Sequence, residues 1–176
     1  HSESGRNMKT RTLLVAFLCL AAMPTWAAPF VKNGQAVGEF IVGNPPEPAE
    51  SFGTKDVCHW IEQITGANVP ILHEPSKQAN VKVFVGTAFA GEFRSDLERL
   101  KGNDGFAVRR KGSNVYIFGS RPRGTLYGLY AFLEKNTDLI FARPHDEFGT
   151  VHGKTADLVL TETDFIDTPV FLVPPH

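Results

Sequence analysis

Two arginines at the start of a predicted helix are the first residues whose chemistry indicates a binding site. Arg121 and Arg123 lie within Ser120–Glu134, where a strand ends, a tight turn follows and a helix begins. Guanidinium groups beside the free N–H groups of a helix N-terminus suit a carboxylate or a phosphate. Two cations are unfavourable at that end of the helix dipole. An ion pair with acidic groups of the same or a neighbouring domain is therefore the alternative.

The densest polar cluster is His145, Asp146 and Glu147. Consecutive residues on an extended loop point in different directions, so these three do not converge on a metal ion. Asp146 and Glu147 are candidate carboxylates for glycoside cleavage, but such a pair must flank the substrate at a separation of about 5–9 Å. A solvated loop after Pro144 is the interpretation that we favour, and we expect no metal site.

Signatures of the common catalytic classes do not occur in the chain. There is no Gly-x-Ser-x-Gly, Cys-x-x-Cys or His-Glu-x-x-His motif and no phosphate-binding loop. Cys58 and His59 are adjacent on a predicted helix and diverge by about 100°, so they do not form a catalytic dyad. We predict no catalytic residue and no cofactor. The formal net charge of −1 also argues against nucleic acid and anionic membranes as partners.

Three aromatic residues are candidate platforms for stacking on sugar rings: Trp60 on the first long helix, and Tyr127 and Tyr130 on the last one. Aromatic residues at helical spacing are also typical of a hydrophobic core, and this is the alternative for Trp60 and Tyr127. Cys58 lies beside apolar residues of the same predicted helix, so we expect it to be a packing residue.

The N-terminal residues have the pattern of a secretory signal. Lys9 and Arg11 supply the positive start, and Leu13–Ala22 is an apolar run that fits a signal core and is too short to span a bilayer. Thr25 and Ala27 then occupy the −3 and −1 positions of a cleavage site. Lipidation at Cys19 and a buried hydrophobic helix are the alternatives, although Leu18 before the cysteine is not the small residue that a lipoprotein signal has. We expect an exported protein, periplasmic or secreted, without a transmembrane anchor.

These boundaries divide the chain into three parts. Residues 1–7, which precede Met8, are interpreted as a cloning remnant or an upstream extension. Residues 8–27 form the predicted signal peptide. Residues 28–176 form one domain that is long enough to bury a hydrophobic core. Only Cys58 remains after cleavage, so no intramolecular disulfide can form.

Hydrophobic periodicity predicts the elements that position these residues. The strands are expected at Phe30–Val31, Ala36–Gly43, Val69–Leu72, Val81–Gly86, Leu139–Ala142 and Ala156–Leu160, with a hairpin over Gly105–Gly119. The helices are expected at Phe52–Thr65, Ser95–Leu100 and Arg123–Lys135, and Asp164–His176 is expected to be a connection. This pattern predicts an α+β domain: a single mixed, mostly antiparallel sheet with two main helices packed on one face.

The last helix has one side that is almost bare of side chains. Gly124, Gly128 and Ala131 fall at positions i, i+4 and i+7, so they stack on that side. Each glycine inside a helix costs about 1 kcal/mol relative to alanine. Gly124 and Gly128 therefore predict a very close approach of this helix to a sheet or to another backbone.

Five segments carry a resemblance to a known family. They are Trp60–Ile71, Val83–Gly86, Asp104–Val108, Val115–Gly119 and, most specific, Arg123–Glu134. Over roughly residues 50–171 the chain resembles the N-terminal α/β domain that precedes the TIM barrel in α-glucuronidases of glycoside hydrolase family 67. A similar layout precedes the barrel in family 20 β-hexosaminidases.

The chain departs from this family in several places. Asp138–Phe141 stands where relatives have Gly-Cys/Val-Arg-Trp, and Pro122 lies within the turn. Relatives continue from a Pro-x-Phe segment, here Pro169–Phe171, into the barrel that carries the catalytic carboxylates. The resemblance therefore transfers no catalytic residue to this chain.

The resemblance implies a non-catalytic accessory domain of an exported, bacterial, α-glucuronidase-like glycoside hydrolase. Its implied partners are the C-terminal TIM barrel of the parent protein and a polysaccharide or uronic-acid-containing glycan. The alternatives are a stand-alone carbohydrate-binding module, a protein-interaction module, and a small hydrolase that uses Asp146 or Glu147.

Overall fold

The structure is a computed structural model, and it describes residues 26–139 and 154–168. The predicted signal peptide, apart from its last two residues, lies outside this described part. So do most of the predicted strand Leu139–Ala142 and the whole His145–Glu147 cluster.

Nine strands and three helices make up the described part. In chain order they are β1 (Ala28–Lys32), β2 (Gln35–Ala36), β3 (Gly38–Val42), α1 (Pro48–Thr65), β4 (Ile71–Leu72), β5 (Val81–Val85), α2 (Arg94–Leu100), β6 (Phe106–Lys111), β7 (Asn114–Gly119), α3 (Pro122–Asn136), β8 (Leu158–Leu160) and β9 (Phe165–Asp167). A short 3₁₀ turn, Thr87–Phe89, lies between β5 and α2.

The main sheet has six strands in the order β4-β3-β5-β7-β6-β9. The β3–β4, β3–β5 and β5–β7 pairs are parallel, whereas β6 is antiparallel to both β7 and β9. Parallel neighbours need a crossover between them, and α1 supplies it between β3 and β4. A second, antiparallel sheet has the order β2-β1-β8.

The α+β class, the mixed sheet and the two main helices on one face are confirmed. Three details differ from the prediction. The described strands form two sheets, and the main sheet is parallel in three of its five pairings. Strand β9 was expected to be part of a connection, but it pairs with β6. Pairing direction depends on how crossovers return the chain, which periodicity within a single strand does not encode.

Both long helices begin at a proline. Helix α1 starts at Pro48, four residues before the predicted start at Phe52, and α3 starts at Pro122. Proline suits the first helical position because its fixed φ is helical and its missing N–H would have had no partner there. Helix α1 ends at Gly66, as predicted, with a left-handed φ of 76°.

The core lies between the main sheet and α1 with α3. Val57 and Ile61 of α1 and Leu129 and Phe132 of α3 share this core with the inward residues of the strands, which are Phe40, Val42, Val81, Val83, Val85, Phe106, Val108, Val115 and Ile117. The other sheet face carries a smaller cluster of Ala90, Leu100, Ala107 and Phe118. Helix α2 and the 3₁₀ turn therefore partly cover that second face.

Candidate functional site

The glycines of α3 lie directly against the backbone that enters β6. A Cβ added to Gly124 would clash with the carbonyl oxygen of Gly105, and one added to Gly119 would stand 2.8 Å from the Cα of Gly124. One turn further along, a Cβ on Gly128 would stand 3.0 Å from Cγ2 of Ile117. At its first turn, α3 therefore lies so close to the backbone before β6 that only a glycine fits there.

Arg121 and Arg123 converge on one carboxylate of the same domain. Their Nη1 atoms lie 3.6 Å from Oδ1 and 3.6 Å from Oδ2 of Asp104, respectively. Both arginine side chains are more than half exposed. This geometry favours the ion-pair interpretation over anion binding by the two arginines.

The predicted aromatic residues share one surface with acidic neighbours. We define the outer helix surface as Phe52, Asp56 and Trp60 of α1 with Tyr127, Tyr130 and Glu134 of α3. Each set of three follows one side of its helix at spacings of three or four residues. The two helices are in close contact next to this surface, because a Cβ on the buried Gly53 would stand only 2.6 Å from Cδ1 of Leu126.

A hollow of about 470 Å³ lies on this surface and is lined by Asp56, Trp60, Tyr130 and Glu134. The hydroxyl of Tyr130 donates to Oδ2 of Asp56 at 2.8 Å and so connects α3 to α1. Burial, with a further contribution from this carboxylate, raises the pKa of Tyr130 to about 12. Trp60 and Tyr130 are half-buried, whereas Tyr127 is 46% exposed, so the core alternative does not hold for Tyr127.

Three buried carboxylates were not singled out from the sequence. Glu39 and Glu50 are only 2% and 5% exposed, and Asp96 pairs with Arg109. Nothing in the local sequence of Glu50 or Asp96 distinguishes these residues from solvated charges. The only available signal was for Glu39, which alternates with apolar residues of a predicted strand and therefore lies on its other face.

Three further observations concern metal ligands, membrane-spanning helices and the free cysteine of the described part. No group of three His, Cys, Asp or Glu residues within 26–139 and 154–168 is placed to hold a metal ion. No helix in those ranges is long and apolar enough to cross a membrane. Burial raises the pKa of Cys58 to about 12, which keeps its thiol protonated and unreactive.

The described part is thus an α+β domain. Its two neighbouring long helices, α1 and α3, carry an exposed surface of aromatic and acidic side chains. Residues 35–132 match the family model described as the N-terminus of glycosyl hydrolase family 67. The chain belongs to this family and is a glycoside hydrolase accessory domain.

Solved structures of other glycoside hydrolases have similar regions. BtGH115A, described as a family GH115 4-O-methyl-α-glucuronidase, is 16% identical with a TM-score of 0.48 over 61% of this chain and 14% of that one. The GH20 β-N-acetylhexosaminidase of Streptomyces coelicolor A3(2) is 14% identical with a TM-score of 0.43 over 77% of this chain and 25% of that one. The chain therefore spans a quarter or less of either protein. Comparison with curated proteins gives no match.

Proposed function

We propose that this chain is the non-catalytic front domain of an exported glycoside hydrolase and that its outer helix surface packs against a TIM-barrel catalytic domain. The observation that carries the proposal is the exposure of Phe52 (63%) and Tyr127 (46%) on adjoining helices. Burying an aromatic side chain of this size stabilises an interface by about 1.5–3 kcal/mol. Two such residues beside a preformed hollow form the centre of a docking surface.

The opposite sheet face fits this role less well. Its apolar side chains already have partners within the domain: Phe93 of the segment before α2 stacks on Phe118 at 5.5 Å, and Phe84 stacks on Tyr116 at 5.0 Å. On the outer helix surface, Asp56 and Glu134 add two carboxylates at the hollow. A complementary barrel surface would insert an apolar side chain into the hollow. Around that side chain it would carry basic or hydroxyl groups that pair with Asp56 and Glu134.

The family supports the same arrangement. Its model describes the N-terminus of a glycosyl hydrolase, which supports a catalytic part outside this domain. The resemblance seen in the sequence assigns the catalytic carboxylates to that barrel. The role of this domain is then to cover one side of the barrel and to shape the rim of its substrate cleft.

Hydrogen exchange tests the docking. In the natural gene product that includes the downstream region, α1 and α3 should exchange more slowly than in this chain alone, because docking excludes water from their outer face. The double variant Phe52→Lys/Tyr127→Lys should abolish that protection in the longer protein and change the unfolding midpoint of this chain little, since both side chains are exposed here.

Val159→Lys is the matched control, because Val159 is a similarly exposed apolar residue on β8 (44%), away from the outer helix surface. Equal exchange of α1 and α3 in the two proteins would overturn the proposal. So would a natural reading frame that ends without a barrel-sized extension.

The hollow favours one competing function, carbohydrate binding by a free module. Trp60 and Tyr130 could stack on a sugar ring while Asp56 and Glu134 accept hydroxyl hydrogen bonds. Titration of the Trp26→Phe variant with neutral and uronic-acid-containing oligosaccharides, followed by Trp60 fluorescence, separates the two functions. Saturable quenching would favour the binding module, and an unchanged spectrum favours the docking surface.

Export is part of the proposal. The first residue paired in β1 is Ala28, opposite Leu160, so cleavage after Ala27 leaves every strand intact. Cleavage removes Trp26, whose ring lies 4.9 Å from the guanidinium carbon of Arg110. The mass of the mature protein isolated from an exporting host should correspond to an N-terminus at Ala28. Retention of Met8 in the exported protein would contradict export through a cleaved signal.

A further inference from the structure

A second hollow, on the opposite face of the main sheet, contains a buried carboxylate that the proposed docking does not use. It has a volume of about 400 Å³ and is lined by residues 36–39, Pro70, Leu72, Ser76 and residues 78–80. Glu39 of β3 is 2% exposed. Because Phe40 and Val42 pack under the helices, Glu39 lies on the other face. The hollow therefore stays open when the outer helix surface is covered.

The carboxylate of Glu39 is only half satisfied. The backbone N–H of Ser76 donates to Oε1 at 2.8 Å. No other residue within the described ranges gives Glu39 a hydrogen bond or an ion pair. A buried carboxyl group with an acceptor oxygen that has no protein partner is costly, and such groups are normally hydrogen-bonded. Because Glu39 also lines the hollow, this oxygen is a candidate acceptor for a ligand bound there.

A metal ion is not the ligand that this hollow fits. Lys82 lies opposite Glu39 in the β3–β5 register, but its Nζ donates to the carbonyl oxygen of Ala79 at 2.8 Å rather than to Glu39. The ammonium group therefore stands next to Ala79, which lines the hollow, and it repels a cation. The volume is also many times the roughly 30 Å³ that one water molecule occupies in the liquid.

The lining matches a sugar ring. Pro70 and Leu72 provide apolar contact for a C–H face, and Gln78 and Asn80 bring exposed side-chain amides. A hydroxyl group can donate to a carboxylate and accept from an amide at the same time, whereas an ammonium or a metal ion cannot. One carboxylate with amides around it is therefore suited to a ligand with several neighbouring hydroxyls.

We propose that the Glu39 hollow binds a neutral pyranose unit of a glycan, with one hydroxyl donating to Oε2 of Glu39. A uronate is disfavoured at this position, because its carboxylate would face that of Glu39, and the nearby ammonium of Lys82 is already hydrogen-bonded to the carbonyl oxygen of Ala79. The site would hold a neutral part of the glycan on the sheet side of the domain.

Amide NMR shifts of the isotope-labelled chain test this site. The chain is titrated with methyl glycosides of xylose, glucose, galactose and mannose, with methyl glucuronoside, and with calcium chloride. At least one neutral glycoside should shift the amides of Glu39, Ser76 and Asn80 saturably in the millimolar range. The glucuronoside and calcium should not shift these amides.

Substitutions locate the contact. Glu39→Gln should weaken binding about fivefold, the difference between a hydrogen bond to a charged and to a neutral acceptor. Glu74→Gln is the control, since Glu74 is an exposed carboxylate on the same β4–β5 loop. If Glu39→Gln does not fold, the binding test uses Asn80→Ala and Gln78→Ala instead. Both side chains are exposed at the rim of the hollow, so these variants should fold and should bind the glycoside more weakly.

Three results would overturn the proposal. The first is that no neutral glycoside shifts these amides. The second is that calcium or the glucuronoside shifts them as strongly as the best neutral glycoside. The third is that the Glu74 variant loses as much affinity as the Glu39 variant or the two rim variants.

Discussion

Gly124 at the start of α3 lies against the carbonyl oxygen of Gly105, the residue that precedes β6. A Cβ at position 124 would also stand 3.3 Å from the carbonyl oxygen of Asp104. Backbone atoms cannot move aside as the end of a flexible side chain can. This contact explains why the helix keeps a glycine that costs about 1 kcal/mol of helix propensity.

Gly124→Ala should therefore lower the free energy of unfolding by about 2 kcal/mol, because overpacking against backbone exceeds the gain in helix propensity. Gly128→Ala is the matched control. Its Cβ would meet side-chain atoms, Cγ2 of Ile117 at 3.0 Å and Cβ of Phe106 at 3.1 Å, and these can shift slightly. Urea denaturation should show a clearly smaller loss for the Gly128 variant. Equal losses would contradict the backbone contact.

The arginine pair should be weakly stabilising and should not bind sugar acids. Arg121 and Arg123 are exposed and share Asp104, and ion pairs of this kind contribute about 0–1 kcal/mol. The double variant Arg121→Ala/Arg123→Ala should lose at most about 1 kcal/mol of stability. Calorimetric titration with glucuronate should give the same result for the variant and for the unmodified chain. Glucuronate binding that disappears in the variant would show an anion site instead.

Asp96 should make stability depend on acid pH. Arg109 donates to both its carboxylate oxygens, from Nε at 2.7 Å and from Nη2 at 2.9 Å. These hydrogen bonds hold the pKa of Asp96 below its usual range. The stabilisation is therefore complete above the unfolded-state pKa of about 4 and is lost as the pH falls through the lower folded-state pKa.

Asp96→Asn should cost about 1.5–3 kcal/mol at neutral pH, the range for hydrogen bonds to charged groups. The difference from the unmodified chain should shrink as the pH is lowered from about 5 to about 2. Glu98→Gln, on the exposed side of the same helix, should show neither effect. A stability difference that stays constant with pH would count against this role of Asp96.

Glu50 should give the stability a pH dependence of the opposite sign to that caused by Asp96. Burial raises the pKa of this carboxyl group, and hydrogen bonding from the Thr87 backbone only partly offsets the burial. A Cβ on Gly86 would stand 2.6 Å from its Oε2, so the group is enclosed by the turn after β5. Its favourable contribution is present below the unfolded-state pKa of about 4.3 and is lost as the pH rises through the higher folded-state pKa.

Glu50→Gln should therefore gain stability relative to the unmodified chain as the pH rises from about 4 to about 7, because the variant has no charge to bury. Thermal unfolding at several pH values measures the trend. Glu62→Gln, an exposed position on the same helix, serves as the control. A trend of the opposite sign would mean that the Thr87 hydrogen bond outweighs the burial.

Local patterns were sufficient for most of the elements. The alternation in β5, the β6–β7 hairpin with Gly112 at a φ of 62°, and the end of α1 at Gly66 were all predicted correctly. Each of these depends on residues that are close in the sequence. Turn chemistry, capping and alternation act over a few residues, so they can be recognised without the fold.

The candidate site was less predictable for the same reason. Trp60, Tyr127 and Tyr130 were identified as residue types, but their common surface with Asp56 and Glu134 depends on how α1 and α3 pack. The pairing of two arginines with Asp104 and the half-satisfied state of Glu39 likewise depend on residues from separate segments.

The amino-acid sequence alone was enough for the α+β class, the family resemblance, the close-packing glycines and the positions of the main helices. The folded chain was needed for the three parallel pairings, the addition of β9, the second sheet and the burial of Glu39, Glu50 and Asp96. The physical reason is the distance along the sequence over which each interaction acts. Propensity and periodicity are properties of neighbouring residues, whereas strand order, the partner of a charge and the exposure of an aromatic ring follow from contacts between distant parts of the chain.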